Sequence, residues 1–237
     1  MQIIAADVGN SSVKLMTGNL SLKFGGSLTD WPECQTIATT DLEHFVPQVD
    51  EHGHWIVSSV SERNRQLLRS RADLTTTVAA WHDIQRREIP LTLDVNQPET
   101  VGLDRLLAAY AAHRLFGASH DVIVVDCGTA LTIDLVGAAA SFRGGVIMAG
   151  PATNLMALNS MTAALPDLSG ETLTKPPGVL GRSTREAMLS GAWHSGLGAI
   201  RQVISEIEKL TSDMPRVVGT GGGLGPWRDE LPDDRVL

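Results

Sequence analysis

One pattern occurs twice in this chain: a short apolar run, Asp-x-Gly, residues bearing hydroxyls, and a second apolar run. The first copy is IIAADVGNSSVKLMTG and the second is DVIVVDCGTALTIDLVG. They align as Asp7-Val8-Gly9-Asn10-Ser11 with Asp126-Cys127-Gly128-Thr129-Ala130, so polar as well as apolar positions repeat. A spacing of roughly 120 residues is one domain length, which points to duplication of a βαβ-rich unit. The predicted class is therefore α/β, in two related halves, residues 1–117 and 118–237.

The remaining segments fit that class. QIIAADVG and SSVKLMTG read as two strands of a hairpin, and WIVSSV (55–60) as a further strand before a helical stretch, SERNRQLLRSRADL. Pro90 to Val95 reads as extended and NQPETVG as a loop. From Leu103 to Phe116, apolar residues recur at three- and four-residue steps, the mark of an amphipathic helix. FRGGVIMAGP is a glycine-rich strand and turn, helical patterns cover 152–165 and 181–210, and RVVGTGGGLG is a strand running into glycines. Only 4% of the 237 residues are aromatic, so the core must rest on Val, Ile, Leu and Ala, which suits buried strands.

Charge removes several classes of function. The net charge is −8 and no Lys/Arg cluster occurs, which argues against general binding of nucleic acid or anionic membrane. Two distant cysteines, Cys34 and Cys127, support neither a disulfide framework nor a structural zinc site. MQIIAADVGN lacks the basic and apolar regions of a signal peptide. The most apolar segment, Val122 to Ala140, is broken by Asp126, Thr129, Thr132 and Asp134, too polar for a membrane span. A cytoplasmic protein is expected.

The repeated turns carry chemistry. An Asp closing a buried strand, followed by Gly, puts a carboxylate where backbone can approach closely. The N–H groups and hydroxyls after it can face phosphate oxygens, and Asp7 could hold Mg²⁺ through water. The plainer alternative is a hairpin with Asp and Asn chosen for turn propensity. Asp126, Gly128, Thr129 and Thr132 offer the same arrangement again. Gly219-Thr220-Gly221-Gly222-Gly223 adds a third bare-backbone turn, and no GxxxxGK[ST] is present, so a Walker-type site is excluded. Asp104 falls in the first turn of the 103–116 helix, where the dipole favours a carboxylate by ~0.3–1 kcal/mol. It could accept a proton from an alcohol, and Arg105 could pair with a substrate carboxylate in a two-point hydrogen bond. Alternatively, Asp104 merely favours the helix start and Arg105 is a surface charge. His113 and His194 read as structural, and Cys127 as a small core residue.

The series DVGNSS, VGLDR, DCGTALTID, RGGVIMAGP, GRSTREAMLSG and VVGTGGG resembles that of type III pantothenate kinases, of the acetate-and-sugar-kinase/Hsp70/actin superfamily. The resemblance runs from residue 3 to about 225. It implies two ribonuclease H-like (actin-like ATPase) domains with the nucleotide in the cleft between them, and ATP-dependent phosphorylation of pantothenate, the first step of coenzyme A synthesis. It also implies a homodimer that uses ATP with Mg²⁺ and a monovalent cation, K⁺ or NH₄⁺. By position, Asp7, Val8, Gly9, Asn10, Ser11, Ser12, Val13 and Lys14 match the first phosphate motif. Gly102, Leu103, Asp104 and Arg105 match the segment that contacts pantothenate, with Asp104 as general base. Asp126 matches a potassium ligand, Thr129 an ATP contact and Thr184 a substrate contact.

The chain also departs from that pattern. Val95 stands where a substrate-contacting tyrosine is common, and Gly223 where the glycine run often ends in an acid. Relatives continue past this point with a strand and a helix, so a naturally short or truncated C-terminus is expected. Two other readings stay open on sequence: another small-molecule kinase or phosphatase of the superfamily, and a non-catalytic nucleotide-binding regulator.

Overall fold

The structure, a computed structural model, describes residues 2–19, 34–47, 53–75, 78–117 and 119–230. The C-terminal DDRVL, where the expectation of a short end rests, lies outside the described residues. Two compact units emerge: Met1–Ile89 with Gly102–Asp104, and Pro90–Val101 with Arg105–Leu237. The 103–116 helix, assigned by sequence to the first half, thus groups with the second unit from Arg105 onward.

In the first unit, β1 (Gln2–Val8), β2 (Ser12–Asn19), β3 (Cys34–Ala38), β4 (Gly53–Ser59) and β5 (Val78–Asp83) form one sheet in the order β3-β2-β1-β4-β5. β1, β2 and β3 pair antiparallel, while β4 runs parallel to both β1 and β5. Alternation along β1 sends Ile4, Ala6 and Val8 into a core with Val13, Leu15, Trp55, Val57 and Leu68, and leaves Asp7 on the other face. The helix α1 (Glu62–Thr75) closes this core with Leu68 and Ala72. Trp55 stacks on Trp81 at 5.3 Å, and the Arg69 guanidinium lies 4.8 Å from the Trp81 ring centre.

The second unit repeats the plan. β7 (Val122–Cys127), β8 (Ala130–Gly137) and β9 (Ser141–Ala149) pair antiparallel, and β10 (Arg216–Thr220) runs parallel to β7. The order β10-β7-β8-β9 mirrors β4-β1-β2-β3, and a short β6 (Thr92–Leu93) extends it beyond β9. Repeated strand order in both units is the duplication expected from the paired motifs, and it fits the ribonuclease H-like architecture that the resemblance implies. Here Val122 to Val125 are all buried, as befits a strand covered on both faces. After β9 come α3 (Pro151–Met161) and the long α4 (Thr184–Glu208). The latter buries Met188, Ala192, Trp193, Leu197, Ile200 and Ile204 at helical spacing. Gly196 admits a neighbour: a Cβ there would sit 2.8 Å from Cζ2 of the buried Trp227, whereas Gly191 and Gly198 face open space.

The helix α2 (Leu103–Phe116) begins and ends where the periodicity predicts. Its buried stripe is narrower than the pattern suggests, comprising Leu106, Ala109 and Ala112, with Ala111 and Leu115 exposed.

Candidate active site

The first hairpin is built around a four-residue turn, since Val8 pairs with Val13. The Gly9 amide donates to the Ser12 carbonyl at 2.9 Å. Buried Asn64, on α1, donates its side-chain amide to the carbonyls of Gly9 (2.9 Å) and Asn10 (3.4 Å). From β3's end, Thr39 donates its hydroxyl to Asn10 and Ser11 carbonyls and its amide to Ser11. With those carbonyls occupied, the turn is held in one shape. Val8 and Val13 have their side chains in the core, so they can serve a ligand only through backbone.

Asp7 and Lys14 are cross-strand partners, with Nζ 4.0 Å from the carboxylate. The Asp7 side chain keeps 49% of its surface, yet its pKa is raised. Protein packed around the carboxyl is the main cause; the Lys14 charge opposes the shift and the Asp104 charge adds to it. Asp104 and Asp7 belong to the same compact unit.

Asp104 is exposed in the first turn of α2, and Arg105 beside it points elsewhere. Arg105 Nε donates to both Asp134 oxygens, at 3.2 and 3.1 Å, and Nη2 also donates to Asp134. Its guanidinium also lies 5.4 Å from the Phe142 ring centre. The edge expected to face a substrate carboxylate therefore faces Asp134, whose side chain is only 2% exposed. Gly145, the register partner of Asp134, makes room: a Cβ there would collide with Asp134. Neither Asp134 nor Asn64 was singled out by sequence reasoning. Asp134 reads as one polar break in an apolar strand, with its partner 29 residues away.

The second hairpin turns in three residues, with the Gly128 amide donating to the Ala130 carbonyl at 2.8 Å. Asp126 therefore pairs with Thr132, where Asp7 pairs with Lys14. The Thr129 carbonyl accepts from the Gly150 amide (3.0 Å) and the Thr153 hydroxyl (2.6 Å), tying the turn to the start of α3. The glycine run closes over the end of β7: the Gly223 amide donates to the Cys127 carbonyl at 2.8 Å. Gly221 has φ +91°, and a Cβ on it would collide with Asp126 and the Cys127 carbonyl, so both conformation and space demand glycine. The Cys127 thiol is pushed up to about 12, chiefly by burial and then by Asp126, which makes it an inert core residue.

Thr184 lies at the exposed start of α4, behind the cap Ser183, whose hydroxyl accepts from the Glu186 amide. It borders a groove of about 560 Å³ lined by Asn154, Leu158, Leu165, Met188 and Ser195. The predicted site residues thus fall into three groups. Residues 7–14 and Gly102, Leu103 and Asp104 belong to the first unit; Arg105, Asp126 and Thr129 lie around the second hairpin's sheet; Thr184 stands at a helix start in the second unit. Among the described residues no group of three or more His, Cys, Asp or Glu gathers as a metal cage. A metal at Asp7 would thus have at most two such protein ligands and otherwise water, a donor set that suits Mg²⁺.

Comparison with known proteins identifies the family. The family model for type III pantothenate kinase matches residues 3–206. Type III pantothenate kinases of Rhodopirellula baltica and Alkalilimnicola ehrlichii are 38% and 40% identical, covering 97% and 94% of this chain and 90% of each relative. The one of Ruegeria sp. is 37% identical over 145 residues, and there the chain spans only 54% of the relative's length. In fold alone, the chain is similar to the ethanolamine utilization protein EutJ from Carboxydothermus hydrogenoformans, with TM-score 0.50, 12% identity, and 94% and 77% of the two chains covered. The chain belongs to the type III pantothenate kinase family.

Proposed function

We infer that this chain carries out the family's reaction, the ATP-dependent phosphorylation of pantothenate to 4'-phosphopantothenate, with Asp104 as general base. The observation that carries the reading is the family match over residues 3–206, with relatives 38% and 40% identical along nearly the whole chain; Asp104 and Asp7 also belong to one compact unit. A base must stand beside the alcohol as the bond to phosphorus forms, and the γ-phosphate must be near both. Asp104 takes the hydroxyl proton, the alcohol oxygen bonds to the γ-phosphorus, and ADP leaves with the electrons of the broken P–O bond. Gly102, Leu103 and Arg105 flank the acceptor; Arg105, held by Asp134, fixes the start of α2.

Residues 7–14 receive the phosphates through the amides and hydroxyls of the braced turn. Mg²⁺, held through water by Asp7, would supply charge neutralisation at the phosphates. Asp126 is assigned to a potassium or ammonium ion and Thr129 to ATP, both at the second hairpin. Thr184, at the mouth of the α3–α4 groove, contacts substrate. The protein is a homodimer of the cytoplasm in this reading. Met156, Met161, Val179 and Leu180, large apolar side chains exposed on α3 and the segment before α4, support association. No described helix is long and apolar enough to cross a membrane.

The test is ATP turnover with and without pantothenate, in potassium and in sodium buffer. Turnover that requires pantothenate and prefers potassium is expected. ATP hydrolysis indifferent to pantothenate would instead favour another enzyme of the superfamily.

A further inference from the structure

β4 carries a hydroxyl that the fold leaves unsatisfied. Ser58 is 4% exposed, and its Oγ has no hydrogen-bond partner among the described residues. A buried hydroxyl without a partner is destabilising, and an alanine would avoid that cost. Its neighbour Ser59 behaves ordinarily: that Oγ donates to the Ser61 carbonyl at 3.0 Å and accepts from the Ser61 amide at 3.1 Å. Folding therefore explains a serine at 59 and does not explain one at 58.

Register supplies the missing reason. In the parallel β1–β4 pair, Ser58 is the partner of Asp7. The pairs on one side, Ile4 with Trp55 and Ala6 with Val57, send all four side chains into the core. Residues 7 and 58 consequently share the opposite face. Adjacent strands stand about 4.8 Å apart, so an oxygen held by the Asp7 carboxylate, or a water bound to a cation there, falls within reach of a hydroxyl on the next strand.

We propose that Ser58 is a ligand-binding residue of the Asp7 site, donating its hydroxyl hydrogen to a phosphate oxygen or metal-bound water when a magnesium–nucleotide triphosphate is present. This rests on the reading of residues 7–14 as the phosphate-binding turn, and it adds a residue from a different strand. The arrangement exchanges stability of the unliganded protein for interaction with the ligand, because the hydroxyl finds its partner only on binding.

Ser58→Ala separates this role from a structural one. The unliganded variant should melt at the same temperature as the parent or a few degrees higher, since an unsatisfied group is gone. The rise in melting temperature on adding Mg·ATP should shrink, and kcat/KM for Mg·ATP should fall about 10- to 100-fold, while the KM for pantothenate stays the same. A lower melting temperature without ligand would overturn the proposal, because it would mean the hydroxyl is satisfied in the fold. So would an undiminished Mg·ATP shift, or an effect confined to the KM for pantothenate. Absence of pantothenate turnover by the parent protein would count against the kinase reading alone, since the Mg·ATP melting shift still decides the role of Ser58.

Discussion

The two hairpins place an aspartate at the same point of the same strand order, yet they are held in opposite ways. Around β1–β2 the turn has four residues, is clasped by side-chain hydrogen bonds from Asn64 and Thr39, and sets Asp7 against a half-buried lysine. Around β7–β8 the turn has three residues, is packed under a glycine run, and continues into a strand that holds a buried ion pair. Hydrogen bonds between neutral groups are worth about 1 kcal/mol each, while a buried charge stripped of its partner is costly. The second hairpin is thus the costlier of the pair to disturb, and the first is the one whose charge a ligand can adjust.

That asymmetry predicts a ranking of mutational costs. Asp134→Ala should be the most damaging to stability, about 3–5 kcal/mol, because it leaves the largely buried Arg105 without its carboxylate; urea denaturation measures this. Gly221→Ala should cost about 1–3 kcal/mol from the left-handed conformation, and more if the collision with Asp126 is not relieved. Asn64→Ala removes two hydrogen bonds to the first turn, the longer of them weak. It should cost about 1–2 kcal/mol, with a higher KM for ATP as the sharper readout. If Asn64→Ala proves costlier than Asp134→Ala, the two hairpins have been ranked the wrong way round.

The smallest effect should be on pH dependence. Asp7 has a raised pKa in the folded protein, mainly from burial, so the fold binds its proton more tightly than the unfolded chain does. Its contribution therefore favours folding at low pH and is lost as pH rises through the folded value. Asp7→Asn should raise the melting temperature at neutral pH, with the gain fading as pH drops through the ordinary aspartate range. Lys14 opposes the shift, so Lys14→Met should move the acid limb of the activity profile to higher pH. A limb that stays in place would remove Asp7 from the groups that must be ionised.

Much of this was legible in the sequence because it is periodic or repeated. The paired Asp-x-Gly turns gave both hairpins, and three- and four-residue steps gave α2 to the residue. Other parts left no such trace. β3 buries only Ile37 of its five residues, so CQTIA shows no alternation, and β5 is a short, mixed VAAWHD. Asp134 and Arg105 meet across 29 residues of chain, a pairing that no local pattern announces. Asn64 sits inside a polar helical stretch, where one buried amide looks like its exposed neighbours. Ser58 is the sharpest case, since its meaning comes only from its partner on β1.

The most direct trial of the central claim is the rate of pantothenate phosphorylation by Asp104→Asn at saturating Mg·ATP, alongside nucleotide binding. Loss of a general base should lower kcat by about 10²- to 10⁴-fold and leave ATP affinity nearly unchanged. A variant that keeps close to the parent rate would mean that the proton leaves by another route and that Asp104 is not the base.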